Sequence, residues 1–300
     1  MRQGRDALAP YSKEKDYHKG NLQMKERVLS GAVLVLLVAA VVVFHNTFPF
    51  ALNIAVGAIT VLAVYELIAA LGLQRSKVIV MASAITSAII PMVFDQRVVF
   101  IVYCAYTAVL FSCMIRYHEE ITFREIAVVY SMVILIPLAL RTLVTVRDLG
   151  GAHGMFYTLI AIIASWASDA GAYFAGTLFG KHKLCPKISP KKTVEGVVGG
   201  VVVNVAAMLL CGFIFSQFFY SGQKHSDYLM LAIIGFFGSF TSILGDLSFS
   251  LIKRSCHIKD FGQVIPGHGG ILDRFDSVIF TAPFVYLLVS YFPLVYKIMG

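Results

Sequence analysis

The sequence predicts an all-α, polytopic membrane protein, and two features of the chain support that prediction. Hydrophobic residues make up 58% of the 300 residues and charged residues only 14%, whereas a soluble domain carries about 25% charged residues. The apolar residues also run in long blocks, and about 20 such residues suffice to cross the hydrocarbon core of a bilayer. Because every backbone N–H and C=O needs an internal partner there, we expect these blocks to be helices.

Nine apolar blocks are predicted to be transmembrane helices. The second block, which begins at Phe50, also allows a re-entrant continuation of the first, and the block at 155–179 is the least regular. Short segments of alternating polarity, typical of a membrane barrel, are not visible in the sequence. The predicted spans are 28–48, 50–71, 78–94, 98–115, 126–143, 155–179, 196–220, 228–252 and 275–297.

The distribution of lysine and arginine predicts how these helices are oriented. With a cytoplasmic N terminus, 20 of the 25 Lys and Arg residues fall on the cytoplasmic side, as the positive-inside rule requires. The net charge of +8 is then a topology signal and an attraction to anionic membrane lipids, and it does not indicate nucleic-acid binding. The compact chain favours a bacterial inner (cell) membrane, with the functional site facing the cytoplasm.

Three regions are predicted along the chain: a polar cytoplasmic arm at 1–27, N-terminal transmembrane helices at 28–154, and a C-terminal catalytic region at 155–300 with cytoplasmic loops at 180–195 and 253–274. The first apolar block is too long for the core of a signal peptide, so we expect no processing. The five cysteines lack C-x-x-C spacing, which makes small core residues a better interpretation than a zinc site or disulfides.

Ionisable residues concentrate near the two cytoplasmic loops, where three aspartates could meet. Asp246 lies inside a predicted span, at a cost of a few kcal/mol, and either pairs with the basic residues that follow it or serves as a metal ligand. Asp273 and Asp276 are three residues apart and so share one helix face. Hard oxygen ligands of this kind suit Mg²⁺. Asp169, in another span, is either a site residue or an interhelical hydrogen-bonding residue.

Basic residues surround these acids, which is unusual for a simple topology signal. Topology and lipid-headgroup contact explain the positive charge, but they do not explain its mixture with three aspartates. A carboxylate-held metal beside Lys and Arg is the equipment for phosphoryl or nucleotidyl transfer. The basic candidates are Lys253, Arg254, Lys259 and Arg274 from one loop and Lys191 and Lys192 from the other.

Two further features allow both a structural and a functional interpretation. Residues Ser189 to Thr193, followed by Glu195, resemble a helix N terminus, which could be a plain cap or a phosphate site. The glycines at 262, 267, 269 and 270 could let backbone amides approach a ligand or could mark plain turns. His268, a loop histidine among them, is either structural or a contact to phosphate.

The segment "SLIKRSCHIKDFGQVIPGHGGILDRFD" (250–276) resembles the signature of phosphatidate cytidylyltransferases, also called CDP-diacylglycerol synthases. Every specified position of that signature is matched. The resemblance extends to "SDAGAYFAGTLFGKHKL", "ISPKKTVEG" and "GDLSFSLIKR" and covers about 165–277. The N-terminal spans resemble the family only in being hydrophobic helices.

The resemblance implies a reaction and roles for the residues quoted above. CTP and phosphatidic acid would give CDP-diacylglycerol and pyrophosphate, with Mg²⁺ held by Asp246, Asp273 and Asp276 and K⁺ as a second cation. Lys253, Arg254, Lys259 and Arg274 would neutralise the phosphates, and His268 would position the loop or a phosphate. Ser189, Lys191, Lys192 and Thr193 would line the phosphate-binding region, and Asp169 would be a further substrate-binding residue. A homodimer is a further expectation.

Three alternatives stay open at this point. An ion-coupled transporter would spread its charges through the membrane midplane and show an inverted repeat, neither of which is seen in the sequence. A CTP-dependent polyprenol or lipid kinase would share a basic and acidic interfacial site, but it would release CDP instead of pyrophosphate. A cytidylyltransferase acting on an ether lipid phosphate would use the same headgroup chemistry.

Overall fold

The computed structural model describes residues 48–219, 224–264 and 269–297. The predicted polar arm at 1–27, all but the last residue of the predicted span 28–48, and His268 therefore lie outside the described residues. The helices are α1 Ala51–Ala70, α2 Lys77–Ile89, α3 Gln96–Arg116, α4 Phe123–Gly150, α5 Gly154–Phe179, α6 Val194–Ile214, α7 Tyr228–Ser255, α8 Leu272–Phe275 and α9 Val278–Tyr291.

The helices confirm the predicted class of an all-α integral membrane protein. Five stretches are long and apolar enough to cross a membrane, one of them the 57 residues that α4 and α5 form together. A shorter apolar helix comprises α2 and the 3₁₀ turn that follows it, Lys77–Met92. Each predicted span from 50–71 onward coincides with a helix, while the count of nine spans and the orientation stay predictions.

The predicted helix at 275–297 is wrong over its last residues. Helix α9 ends at Tyr291, and Val295–Lys297 instead forms strand β4, which pairs antiparallel with strand β3, Lys224–Ser226. Pro293 lies between the two elements, and proline lacks the N–H that a continuing helix would use. Residues 224–226 and 295–297 therefore form a small two-stranded sheet near the N-terminal end of α7, at the opposite end of that helix from the segment 253–274.

Helices α5, α6 and α7 pack closely and share a buried polar contact. Small residues allow the approach, since a Cβ on Gly200 would lie 2.9 Å from the Ser168 carbonyl oxygen. Asn204 of α6, fully buried, donates from Nδ2 to the Ala164 carbonyl at 2.8 Å and to the Gly235 carbonyl at 2.9 Å. Membrane helices associate through such small residues and interhelical hydrogen bonds. These three helices therefore form a tightly packed unit, and the segments 180–195 and 253–274 are attached to the ends of its helices.

The N-terminal helices join the same apolar core. Leu67 of α1, Ile136 of α4, Ile160 of α5 and Val285 of α9 are all fully buried and belong to one cluster. The helix α1 also contacts the short helix α8, which belongs to the signature segment. The signature segment is thus packed against the N-terminal part of the chain.

Candidate active site

Most of the segment 180–195, expected as a cytoplasmic loop, is an ordered hairpin that ends at the start of α6. Strands β1, Lys183–Cys185, and β2, Ser189–Thr193, pair antiparallel and lead directly into α6. Thr193 is the N-cap of α6, with its Oγ1 accepting a hydrogen bond from the Gly196 amide at 3.1 Å. The cap interpretation of this segment is therefore confirmed for Thr193, and a phosphate-binding role is not tested.

Glu195 fastens the start of the hairpin to the helix that follows it. Its carboxylate accepts hydrogen bonds from the Lys181 amide at 3.1 Å and from the His182 amide at 3.2 Å. It also contacts His182 Nδ1 at 2.6 Å. These contacts hold the start of β1 against the first turn of α6, and β1 in turn pairs with β2, the strand that carries Lys191 and Lys192.

The side chain of Lys192, on β2, contacts Asp246 in the C-terminal half of α7. Its Nζ lies 2.6 Å from Asp246 Oδ2, and the Ser250 hydroxyl donates to Asp246 Oδ1 at 3.1 Å. The expected alternative, an ion pair between Asp246 and Lys253 or Arg254, is not what the described residues show. The structure instead joins the 180–195 segment to α7 through one ion pair.

We expect this pair to couple the hairpin to α7 energetically. In a double-mutant cycle of Lys192→Met and Asp246→Asn, the free energy of unfolding, measured by SDS titration in mixed micelles, should show a coupling of about 0.5–3 kcal/mol. Lys191, the exposed neighbour on the same strand, provides the matched control. Lys191→Met and Asp246→Asn should be additive, and an equal coupling in both cycles would contradict the pairing.

A second cluster links α7 to the signature segment. Lys253 Nζ lies 2.7 Å from Asp273 Oδ1 and 3.8 Å from Asp276 Oδ2. The other oxygen of Asp273 accepts hydrogen bonds from the amides of Phe261, at 2.8 Å, and Gly270, at 3.0 Å. Asp273 thus holds both flanks of the glycine-rich segment while it neutralises a buried lysine.

Asp276 is a second buried carboxylate among the three predicted metal ligands. It lies in the turn between α8 and α9, outside the five candidate membrane spans, and is 6% exposed. Its Oδ2 lies 3.8 Å from Lys253 Nζ, and its carbonyl oxygen would lie 2.7 Å from a Cβ on Gly245, the residue before Asp246. Asp246 and Asp276 are therefore brought near each other where α7 packs against this turn, and two carboxylates so placed favour a positive partner.

Asp169 makes the interhelical hydrogen bonds that one of its two interpretations required. The Ser242 hydroxyl of α7 donates to Asp169 Oδ1 at 3.0 Å, and the Ser277 hydroxyl donates to Oδ2 at 2.7 Å. Ser277 in turn lies 2.8 Å, oxygen to oxygen, from the Ser165 hydroxyl. Asp169 therefore ties α5 to α7 and to the residue that follows Asp276.

The remaining predicted residues lie on the hairpin, at the end of α7 and on the signature segment. Arg254 donates to the carbonyl oxygens of Ile188, at 3.4 Å, and Ile258, at 3.3 Å, and so braces the hairpin turn. Lys259 and Lys191 are exposed, and Ser189 and Arg274 are half-buried. The role of each of these residues toward a ligand is not tested by its position.

The carboxylates have the donor chemistry of a hard-cation site, but they are not gathered around one point. Within the described ranges, no group of three or more His, Cys, Asp or Glu side chains is arranged to hold a metal ion. Lysine ammonium groups lie against Asp246 and Asp273 instead. The acids therefore already bind positive charge, which fits residues that could take up a divalent cation.

Glu66 of α1 is a contributor that the sequence analysis missed. It is 3% exposed and accepts hydrogen bonds from the amides of Ile271, at 2.9 Å, and Leu272, at 2.8 Å. The signal was present, since Glu66 is the only acidic residue in the predicted span 50–71. The rule that marked Asp169 and Asp246, that an ionisable residue inside a span needs a reason, applies equally to it.

The fold and the site together define a class: a helical integral membrane protein with paired lysines and carboxylates at one end, suited to anionic substrates. Comparison with known proteins identifies the family. A sequence model of the cytidylyltransferase family matches residues 25–292, and the chain belongs to that family. The resemblance seen in the signature segment is therefore confirmed, and the chain is a nucleotidyltransferase.

Curated relatives agree with this assignment over nearly the whole chain. The phosphatidate cytidylyltransferase of Bacillus subtilis is 34% identical over 282 residues, which cover 90% of this chain and 99% of the relative. That of Haemophilus influenzae is 31% identical over 287 residues, covering 87% of this chain and 96% of the relative. The enzyme of Staphylococcus saprophyticus is 44% identical over 138 residues, 46% of this chain and 50% of the relative.

Proposed function

We propose that the chain transfers a cytidylyl group from CTP to phosphatidic acid, giving CDP-diacylglycerol and pyrophosphate, at the cytoplasmic-loop end of the helix bundle. Family membership and the names of the relatives support the reaction. The observation that supports its location is the pair of lysine–carboxylate clusters, Lys192 with Asp246 and Lys253 with Asp273 and Asp276. They concentrate charge where the bundle meets water.

In this reaction an oxygen of the lipid phosphate attacks the α-phosphorus of CTP, and the bond to the departing pyrophosphate breaks. The attacking phosphate is already largely anionic at neutral pH, so no general base is required. The demand on the protein is to bring two polyanions together and to neutralise the charge that leaves. Lys192, Lys253, Arg254, Lys259 and Arg274 are the residues we assign to that task.

Mg²⁺ would be held by Asp246 and Asp276, with Asp273 as the third predicted ligand, and would supply charge neutralisation at the phosphates. K⁺ is proposed as the second cation. Asp273 has a further duty here, because its contacts to Lys253 and to the Phe261 and Gly270 amides keep the signature segment in place.

The location of the site follows from its two substrates. CTP is soluble and phosphatidic acid lies in the bilayer, so the reaction requires a membrane interface. The exposed lysines of the hairpin segment, Lys181, Lys183, Lys187 and Lys191, would attract both CTP and anionic lipid. We propose that this face lies on the cytoplasmic side of a bacterial inner membrane, in keeping with the distribution of Lys and Arg. The expected homodimer stays a prediction.

Purified protein in detergent, given phosphatidic acid, Mg²⁺ and CTP labelled at the α-phosphate, should move label into the lipid phase. Removal of divalent cations with EDTA should abolish this transfer, and excess Mg²⁺ should restore it, because the carboxylates need a cation to accept further anionic groups. Transfer that is unaffected by EDTA would contradict the proposed metal requirement.

The same assay with CTP labelled at the γ-phosphate separates the competing reactions. A cytidylyltransferase leaves γ-label in aqueous pyrophosphate, whereas a CTP-dependent lipid kinase would carry it into lipid. Transfer of neither label by folded protein would contradict the proposed reaction and favour a transporter. Offering an ether-linked phosphatidic acid beside the ester form tests whether the backbone of the lipid is discriminated.

A further inference from the structure

The carboxylate of Glu66 is enclosed by the signature segment. Its Oε1 accepts from the Ile271 amide and its Oε2 from the Leu272 amide, at 2.9 and 2.8 Å. These amides lie at the start of α8, where backbone N–H groups have no partner within the helix. A single side chain from the N-terminal part of the chain thereby satisfies two donors of the signature segment.

Two glycines of the signature segment close around the same carboxylate. A Cβ on Gly262 would lie 2.5 Å from Glu66 Oε1, and the three atoms nearest to a Cβ on either Gly262 or Gly270 all belong to Glu66. Neither glycine has a positive φ, in contrast to Gly269 with φ of 85°. Space for Glu66, rather than backbone conformation, is therefore what excludes a side chain at both positions.

We propose that Glu66 is a positioning residue for the active site. By fixing the amides of residues 271 and 272, it sets the direction of α8 and hence of Asp273 and Arg274, the next two residues. Asp273 fastens the same segment from its other side through the amides of Phe261 and Gly270. The glycine-rich segment is held between two carboxylates, one from the N-terminal helices and one from its own sequence.

The local effect of Glu66 can be measured without reference to the reaction. In Glu66→Ala, both amides lose their acceptor, so hydrogen exchange in a peptide covering residues 269–275 should rise at least about tenfold, the loss expected for a buried amide left unsatisfied. Glu66→Gln, which keeps one accepting oxygen, should give an intermediate rise. The control Thr60→Val lies on the same helix as Glu66 and removes a hydroxyl that donates to the Ser87 carbonyl of α2, and exchange in the 269–275 peptide should be unchanged.

The catalytic consequence rests on the proposed function and is read separately. Because Asp273 and Arg274 are displaced in Glu66→Ala, kcat/KM for CTP should fall about tenfold to a hundredfold, whereas Thr60→Val should stay within about twofold. If exchange rises in Glu66→Ala but the parent protein transfers no label, the proposed reaction is wrong while the positioning role of Glu66 still holds. Unchanged exchange in the folded Glu66→Ala and Glu66→Gln variants would overturn the role of Glu66.

A double-mutant cycle tests the contact directly. Gly262→Ala should lower kcat/KM about tenfold or more in the parent protein, because the new methyl group meets the Glu66 carboxylate. In the Glu66→Ala background the same substitution should cost less than about threefold, since the obstructing atoms are gone. Equal costs in both backgrounds would contradict the proposal, and the result does not depend on how stable Glu66→Ala is by itself.

Discussion

Asp273→Asn is expected to lower kcat by about 100- to 1,000-fold, the range seen when one preorganised polar group is removed from an active site. Two losses combine at this position. Lys253 is left without the carboxylate that lies 2.7 Å from it. The asparagine side chain also presents either an NH₂ group or an uncharged oxygen to the amides of Phe261 and Gly270, which donate to Asp273 Oδ2 in the parent protein. Initial rates of lipid labelling from CTP at saturating substrate measure the effect.

The matched control is the same substitution at the far end of α7. Asp227 is the N-cap of that helix and accepts from the Met230 amide at 2.9 Å, and asparagine caps about as well as aspartate. Asp227→Asn should therefore retain kcat within about twofold. An Asp273→Asn protein that is folded and nearly as active as the control would show that this carboxylate is dispensable.

Lys253→Met is expected to abolish transfer and also to weaken the fold. The Lys253 side chain is only 11% exposed and lies between two aspartates that are themselves 4% and 8% exposed. Removing one partner of a buried ion pair typically costs about 3–5 kcal/mol, because the remaining charge stays buried. Methionine fills a similar volume against the Phe261 ring, which lies 5.5 Å from Lys253 Nζ, so the loss reports charge more than packing.

Thermal unfolding in detergent, followed alongside the transfer assay, separates the two effects. Lys77→Met, which replaces an exposed lysine at the start of α2, should change neither the unfolding temperature nor the rate appreciably, as is usual for surface substitutions. The additional variant Lys253→Met/Asp273→Asn removes one charge of each sign. It should recover part of the lost stability but none of the activity, and recovery of both would argue against a role for Lys253 in handling phosphate.

Much of the fold could be predicted because hydrocarbon leaves so few choices. Long apolar blocks without backbone partners in lipid have to be helices, and each described block is one. The end of the last block was not predictable in this way, since residues 292–296 are still apolar and only Pro293 indicates a break. The strands β3 and β4 pair residues about 70 positions apart, and no local pattern reveals such pairing.

The candidate site was predictable in its composition but not in its pairing. One interpretation of the sequence paired Asp246 with Lys253 or Arg254, which follow it along the chain. In the structure, Asp246 pairs instead with Lys192 of another segment. Glu66 was overlooked because the resemblance to known proteins stopped short of the N-terminal helices. Its partners are backbone amides, which every residue except proline has and which therefore leave no mark in the sequence.

The ion pairs of Lys192 and Lys253 have a consequence for which anions the site accepts. Both ammonium groups already have carboxylate partners at 2.6 and 2.7 Å, so an incoming anion has to displace a resident competitor before it gains a lysine. Because a lysine is available to a ligand only when its carboxylate partner is displaced, the apparent affinity of every ligand is reduced in proportion to the fraction of lysine that is released. A single phosphate group offers little to offset that loss, whereas a triphosphate can engage several cations at once. In the proposed active site, self-pairing would thus act as a threshold that favours highly charged nucleotides over orthophosphate.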